Sequence, residues 1–296
     1  MNTTAPSTAL VLGGGGSTGN AWLIGVIAGL FDAGLDVTTA ALTIGTSAGS
    51  TAATQLAGTT PTELLAAILA AAPRARAAGP DLGRVTIRPV ADQMDRISKI
   101  IASSEDVADM RRRIGAAALE LDAASGGTWP TQWRATVASR LPSHRWPERR
   151  VLITAVDAQT GQPVVFDRHS GVDLTDAVAA SCASGRPYRI GDSRYIDGGY
   201  RSNAENADLA AGYERVLVLS PFGGRTLHPL DWGTHLAAQV DELCARGSRV
   251  ELIVPDSNAE HLFGTSAMDL SLRPPAARAG YDQGRARAEQ LTEFWR

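Results

Sequence analysis

The chain has 296 residues, 44% hydrophobic and 20% charged, with 28 basic against 31 acidic side chains and a net charge of −3. A chain of this length buries roughly three quarters of the surface its unfolded form exposes and needs no staples; its balanced charge offers no footprint for nucleic acid and at most peripheral contact with a membrane. Cys182 and Cys244 stand alone, without a CxxC or a Cys/His cluster, which excludes a disulfide framework and a metal site and leaves two reduced thiols.

Thr8–Leu12 (TALVL) is a short apolar run stopped by glycines and reads as a buried strand. Residues 19–33 carry Trp22, Leu23, Val26, Ile27 and Leu30 at helical spacing and end at Gly34, where a helix-closing glycine belongs. The apolar stretch 9–31 is long enough to raise a membrane helix, but the glycines at 13–16 with Ser17, Thr18, Gly19 and Asn20 split it into two short pieces. Residues 1–73 hold no Lys or Arg, so the basic start of a secretory signal is missing and a soluble, cytoplasmic protein is expected. Residues 42–44 form a second strand, followed by Gly45-Thr46-Ser47-Ala48-Gly49 and a helix from about 48 to 57. Strand–helix–strand–helix in so short a span predicts a parallel sheet covered by helices.

From 59 to 147 the pattern changes. Segments 61–72, 89–102, 104–123 and 128–141 read as helices, with a capping-box spacing at Ser103-Ser104-Glu105-Asp106, and the stretch is expected as a helical insertion on the sheet. Strands resume at 151–156 and Pro163–Phe166, joined by a hairpin turn at Gln159-Thr160-Gly161. A helix at 174–182, strands at 194–196 and Arg215–Leu219, a helix at 232–245, a strand at 250–254 and a closing helix at 275–294 follow. With no repeat, linker or low-complexity segment, one α/β domain over 1–296 is the expectation.

Gly45-x-Ser47-x-Gly49 between a strand and a helix is the context of a nucleophile elbow. A serine there occupies a cramped turn, and neighbours without a Cβ let the chain fold back and substrate approach. Its hydroxyl lies at a helix N-terminus, where partial positive charge favours a developing anion. The run Gly13-Gly14-Gly15-Gly16-Ser17-Thr18-Gly19 also joins a strand to a helix, and its backbone N–H groups make an anion cradle. Gly14-x-Gly16-x-x-Gly19 fits a dinucleotide fingerprint too, but that needs an acidic residue ending the next strand, which instead runs into Gly45-Thr46-Ser47. There is no Gly-Lys-Ser/Thr for a P-loop, so an oxyanion hole is the better reading, and neither cofactor nor metal is expected. Asp197-Gly198-Gly199 follows the strand 194–196; an acid backed by two glycines can approach another backbone closely, though the same residues also suit an ordinary β-turn.

Together the three features resemble the patatin-like phospholipase family, whose glycine-rich loop, Gly-x-Ser-x-Gly and Asp-Gly-Gly occur here in order as 14–19, 45–49 and 197–199. The similarity runs on through Ala177-Val178-Ala179-Ala180-Ser181-Cys182 to Asn206-Ala207-Asp208. It implies a three-layer α/β/α sandwich with a mostly parallel sheet, and lipid or small-ester acyl hydrolysis by a Ser–Asp dyad. By position Ser47 is then the nucleophile and Asp197 its base, Gly15 and Gly16 with Gly14 hold the oxyanion, and Gly19, Gly45, Gly49, Gly198 and Gly199 support the motifs. Two positions depart from the family pattern: Gly13 stands where Asp is frequent and Thr18 where Arg or Lys is frequent, which leaves the hole to backbone dipoles alone.

Competing readings remain. A Ser-Asp-His triad would draw on His228, His235 or His261, with His261 best placed after the strand 250–254, although Ser47 comes early for that fold. Acyl transfer to a carrier or coenzyme A would use the same acyl-serine, but such enzymes place His before the nucleophile and this chain has Thr46. A scaffold without activity, binding a partner through its helical stretch, would not need Ser47, Asp197 and the glycine loop intact. Arg111-Arg112-Arg113 and Arg149-Arg150 read as a solvated helix face and a strand edge rather than headgroup contacts. Trp129, Trp133 and Trp146, with the amphipathic helices, either roof Ser47 as an acyl pocket or pack the helical region.

Overall fold

The computed structural model describes residues 7–71, 90–123 and 128–295; the parts of the expected helical stretch at 72–89 and 124–127 lie outside them. β1 (Thr8–Leu12) enters the glycine loop, α1 (Gly16–Asp32) returns, β2 (Leu42–Gly45) pairs with β1, and α2 (Ala48–Gly58) leaves from Ser47. α1 begins three residues before the expected start at Gly19, its first turn being made by Gly16, Ser17 and Thr18 ahead of the first apolar side chain. The stretch after α2 holds α3 (Pro61–Ala70), α4 (Val90–Ala102), α5 (Val107–Ala123) and α6 (Trp129–Ala138). Thr60 and Glu63 cap α3 reciprocally, and Pro61 sits in its first turn, where a missing N–H costs nothing.

β3 (Arg150–Asp157) and β4 (Pro163–Phe166) form the expected hairpin, and α7 (Leu174–Ser181) follows. β5 (Tyr188–Ile190) and β6 (Ser193–Asp197) make a second hairpin; three residues of β5 are too few to show a period in the sequence. β7 (Arg215–Leu219), α8 (Leu236–Ala245), β8 (Arg249–Ile253) and α9 (Arg273–Trp295) complete the order. α8 starts later than the expected 232 because Gly233, at φ 64, ends a separate short turn at Leu230–Trp232.

Among the described residues the strands form one eight-stranded sheet, ordered β5-β6-β3-β2-β1-β7-β8, with β4 on β3. β3, β2, β1, β7 and β8 pair in parallel, β4 and β6 run antiparallel to β3, and the edge strand β5 pairs antiparallel with β6, so the sheet is mostly parallel as expected. Strand alternation divides the core. Leu10, Leu12, Leu217 and Leu219 face the cluster containing α1, α7 and α9, while Ala9, Val11, Val216 and Val218 face α8. α4 and α5 pack on Val156 and Ile196, which by alternation lie on α8's side, giving the three-layer α/β/α sandwich. α1 and α9 cross in backbone contact: a Cβ on Gly25, Gly29, Gly280 or Gly284 would overlap a carbonyl oxygen of the facing helix. The Trp22 indole N–H donates to Gln283 Oε1 across this crossing at 3.2 Å. No helix among the described residues is long and apolar enough to cross a membrane.

Candidate active site

Sheet register explains how Ser47 and Asp197 meet. Gly45 lies opposite Ile153 on β3, and Ala155, two residues on, lies opposite Asp197 on β6. Ser47, two residues past Gly45, is therefore level with Asp197 two strand spacings away, about 10 Å across. The elbow and the Asp197 side chain close that gap, and Ser47 Oγ donates to Asp197 Oδ2 at 2.8 Å.

The turn at Ser47 is strained. Ser47 has φ 53 and ψ −114, a left-handed backbone that side chains disfavour. Hydrogen bonds on both sides hold it there. Its N–H donates to Ser181 Oγ at 2.9 Å, and its carbonyl accepts from Ser50 Oγ at 2.7 Å and Cys182 Sγ at 3.1 Å. Gly49 allows the turn to seat against β1, since a Cβ there would overlap the Leu12 carbonyl oxygen, and a Cβ on Gly45 would come within 2.6 Å of Ser50 Cα. Burial and the nearby Asp197 charge push the Cys182 thiol up to about 11, so it stays a neutral donor.

Asp197 is only 7% exposed. Burial pushes its carboxyl from the ordinary 3.8 up to about 6, against the opposing pull of hydrogen bonds from Gly199 N–H and Ser47 Oγ. The Gly199 bond, to Oδ1, is 2.8 Å long. Gly198 lies under Thr154, where a Cβ would overlap Thr154 Oγ1. Behind it, Asn206 Nδ2 donates to Gly198 O at 3.0 Å and to Thr46 Oγ1 at 3.0 Å, tying the Asp-Gly-Gly turn to the elbow.

The glycine loop adjoins Ser47: a Cβ on Gly14 would stand 3.6 Å from Ser47 Cβ. Its N–H groups are not equivalent. Gly13 N–H donates to Leu219 O and Gly14 N–H to Ala204 O, at 3.0 and 2.8 Å. Gly14, expected among the oxyanion donors, thus has its N–H committed within the chain. The N–H groups of Gly15, Gly16 and Ser17 have no acceptor among the described residues. Gly16 has φ 62, and a Cβ on it would press within 2.8 Å of Ala267 O; Gly15 and Gly19 pack on Pro221. Beneath Gly13 lies Glu205, 1% exposed, its carboxyl accepting from Ser220 Oγ at 2.6 Å and pushed up to about 7 by burial.

Several supporting residues carry no catalytic signal in the sequence. Ser181, Cys182 and Asn206 fall within the stretch of family resemblance without a role attached to them, and Glu205 has no motif at all. The histidines stand apart from the Ser47–Asp197 pair. His144 pairs with Thr175, His228 with Thr234 and His235 with the His228 carbonyl, while His261 is exposed. Among the described residues none hydrogen-bonds to Ser47 or Asp197. The tryptophans pack: Trp133 and Trp146 donate to the carbonyls of Ala179 and Val172 at 3.0 and 2.7 Å, and Trp129 stacks on Trp133. α5 packs on the opposite face of the sheet from these tryptophans, against Val156 and Ile196. Two cavities of about 210 and 250 Å³ meet at Trp146 and Glu148, and neither is lined by Ser47 or Asp197. Among the described residues no group of three His, Cys, Asp or Glu is placed to hold a metal ion.

A family model described as patatin-like phospholipase matches residues 10–209, a span that takes in the glycine loop, Ser47 and Asp197. No curated protein matches the chain. Among solved structures, VipD from Legionella pneumophila is similar over 97% of this chain and 67% of its own, with 11% identity and a TM-score of 0.45. The type III effector ExoU is similar over 96% of this chain and 53% of its own, with 16% identity and a TM-score of 0.39. ExoU in complex with SpcU, from Pseudomonas aeruginosa, gives 16% identity, a TM-score of 0.39, and 99% and 53% coverage. The chain thus spans about half the length of ExoU.

Proposed function

The chain belongs to the patatin-like phospholipase family, and from that premise we propose that it hydrolyses lipid acyl esters with Ser47 as nucleophile and Asp197 as the only base. The observation that carries the assignment is the 2.8 Å hydrogen bond from Ser47 Oγ to a buried carboxylate. An Asp with an ordinary pKa near 3.9 is a poor base at neutral pH; one raised to about 6 is far better matched to an alcohol's proton, yet still ionised at pH 7.

The steps follow from this placement. Ser47 Oγ bonds to the acyl carbon as its proton passes to Asp197 Oδ2. The carbonyl oxygen becomes an oxyanion, held by the uncommitted N–H groups of Gly15 and Gly16 at the positive end of α1. Donors of this kind are worth roughly 3–4 kcal/mol each in other acyl-transfer sites. Collapse expels the alcohol, which takes the proton from Asp197 and leaves an acyl ester on Ser47. Water then attacks that ester as Asp197 accepts its proton, and collapse releases the acid while Asp197 returns that proton to Ser47 Oγ.

Fluorophosphonate labelling with mass-spectrometric mapping, beside ester hydrolysis by single variants, tests the assignment. The label is expected on Ser47 alone. Ser47→Ala should be inert, Asp197→Asn should lose at least about 10²-fold in kcat, and His261→Ala should keep its activity. A label on another serine, or a His261→Ala protein as dead as Ser47→Ala, refutes the dyad.

A further inference from the structure

The first two residues of the glycine loop are held in a closed ring. Gly13 N–H donates to the Leu219 carbonyl and Gly14 N–H to the Ala204 carbonyl. The residues that follow those acceptors, Ser220 and Glu205, join each other: Ser220 Oγ donates to Glu205 Oε1 at 2.6 Å. That bond lies away from water, with Ser220 fully buried and Glu205 1% exposed. Glu205 also fills the ground that a side chain at position 13 would need, since a Cβ there would stand 3.3 Å from Glu205 Cγ.

The main chain around Glu205 is fixed from the other side. Asn203 Oδ1 accepts from the N–H groups of Glu205 and Asn206 at 2.9 and 2.7 Å, and Asn203 Nδ2 donates to Thr234 O at 2.8 Å. Asn206 then reaches Gly198 and Thr46. Glu205 is thus the point where the glycine loop is joined to the Asp-Gly-Gly turn and the elbow. Ser220 Oγ also accepts from Gly224 N–H at 2.8 Å, which leaves its proton for Glu205. An amide would accept that proton as well, and at less cost to the fold than a buried carboxyl.

No charged side chain offsets this carboxyl. Burial pushes it up to about 7, and only the bonds from Ser220 and from its own backbone N–H pull the other way. Ionisable groups enter one bond further out. His228 shares Thr234 with Asn203 and is pushed down to about 4 by burial, so it is uncharged near neutrality. Arg201 and Asp208 reach Asn206 already joined as an ion pair at 2.8 Å. Arg225, after Gly224, is exposed and turns to the Phe222 carbonyl, and Asp197 lies beyond the Asn206–Gly198 bond.

We propose that Glu205 is the positioning residue of the glycine loop: bonded to Ser220, it seats Gly13 and Gly14 so that the N–H groups of Gly15 and Gly16 stay free for the oxyanion formed at Ser47. The inference rests on the Ser47 reading, because that oxyanion exists only where Ser47 attacks. The acid form of Glu205 leaves the ring uncharged. The ionised form sets a negative charge beneath the loop, where it opposes the oxyanion. Gly13 and Gly15 are two Cα spacings apart, at most about 7.6 Å. A charge about 10 Å from the oxyanion, at an effective dielectric of about 20, slows the reaction roughly tenfold.

The test follows kcat and KM from pH 5 to pH 9 on a neutral, water-soluble ester, p-nitrophenyl butyrate. In the wild type kcat should rise through about 6 as Asp197 ionises and fall roughly tenfold through about 7 as Glu205 ionises. Glu205→Gln keeps an acceptor for Ser220 and cannot ionise, so it should retain the rate below neutrality and lose the falling limb. Ser220→Ala removes a bond that pulls the carboxyl down, so the falling limb should move to higher pH. Glu205→Ala should lose at least about tenfold in kcat at every pH with KM little changed, because the displaced donors act on the transition state. If Glu205→Ala does not fold, the profiles of Glu205→Gln and Ser220→Ala decide. A side chain with only a structural role would lower stability and leave both limbs in place. A falling limb that survives in Glu205→Gln, or a folded Glu205→Ala protein with wild-type kcat, overturns the inference. Ser47→Ala separates the two readings: an active Ser47→Ala protein refutes the Ser47 reading and this inference with it, whereas an inert one beside Glu205 variants that match wild type overturns the inference alone.

Discussion

Replacing Asp197 by Asn should destroy activity and stabilise the fold, and the size of the gain follows from burial. The folded protein holds this carboxyl at about 6 against an ordinary 3.8. The folded pKa is the higher one, so the neutral acid suits the folded state better than the ion does. Its stabilising contribution is complete below pH 3.8 and is lost as pH rises through about 6. Above that, the ion costs the fold on the order of 3 kcal/mol, taking 1.36 kcal/mol for each pKa unit. Asn is nearly isosteric and never ionises; its carbonyl can still accept from Gly199 N–H, and its amide can donate to Ser47 Oγ. Urea denaturation at pH 8 should therefore find Asp197→Asn more stable than wild type by up to about 3 kcal/mol, and the difference should vanish near pH 4. The wild-type rate should rise along a limb centred near pH 6, because only the ionised carboxylate accepts a proton. If Asp197→Asn were less stable than wild type by the same amount at both pH values, desolvation would not dominate this site and the case for a raised base would fall.

Ser47→Gly should be more stable than Ser47→Ala by about 1 kcal/mol in thermal or urea unfolding, because glycine removes the strain of φ 53 and offsets its own unfolded-state entropy. Ser181→Ala leaves the Ser47 N–H buried without an acceptor, so a loss of about 1–3 kcal/mol and slower fluorophosphonate labelling of Ser47 are expected. Gly284→Ala drives a methyl into the Val26 carbonyl oxygen at the α1–α9 crossing, and should lower stability by about 1–3 kcal/mol or more by the same unfolding assay.

The parts of this protein that were legible in its sequence are those with a local cause. β1, β2, β3 and β7 show as apolar runs bounded by turn residues, and the elbow shows because its glycines are needed within two positions of Ser47. The capping of α3 by Thr60 and Glu63 has an equally local cause, although the capping-box spacing singled out in the sequence is the one at 103–106 instead. What could not be read depends on distant partners. Gly25, Gly29, Gly280 and Gly284 look like weak points in two helices until the helices are seen to touch through them. The commitment of Gly14 N–H to Ala204, about 190 residues away, is likewise a property of the fold, and no spacing within the loop separates Gly14 from Gly15. The bond from Arg273 Nη1 to the Ser17 carbonyl, 2.8 Å long, spans 256 residues, and Arg273 has the ordinary look of a charged helix start.

The same division explains where the molecule tolerates local cost. A side chain at φ 53, a carboxyl held at about 6 and a second held at about 7 all sit within the layer joining the glycine loop, the elbow and the Asp-Gly-Gly turn. None of them suits the folded state on local grounds. Each is fixed by bonds to a different element: Ser47 by α7, Asp197 by Ser47 and the turn after β6, Glu205 by Ser220 after β7. A site fixed in this way cannot relax one member without moving another, and that keeps Ser47 Oγ aimed at a carboxyl that would otherwise prefer to be protonated or to swing into water. The continuous apolar packing of α1 against α9 and the sheet is where the offsetting stability resides.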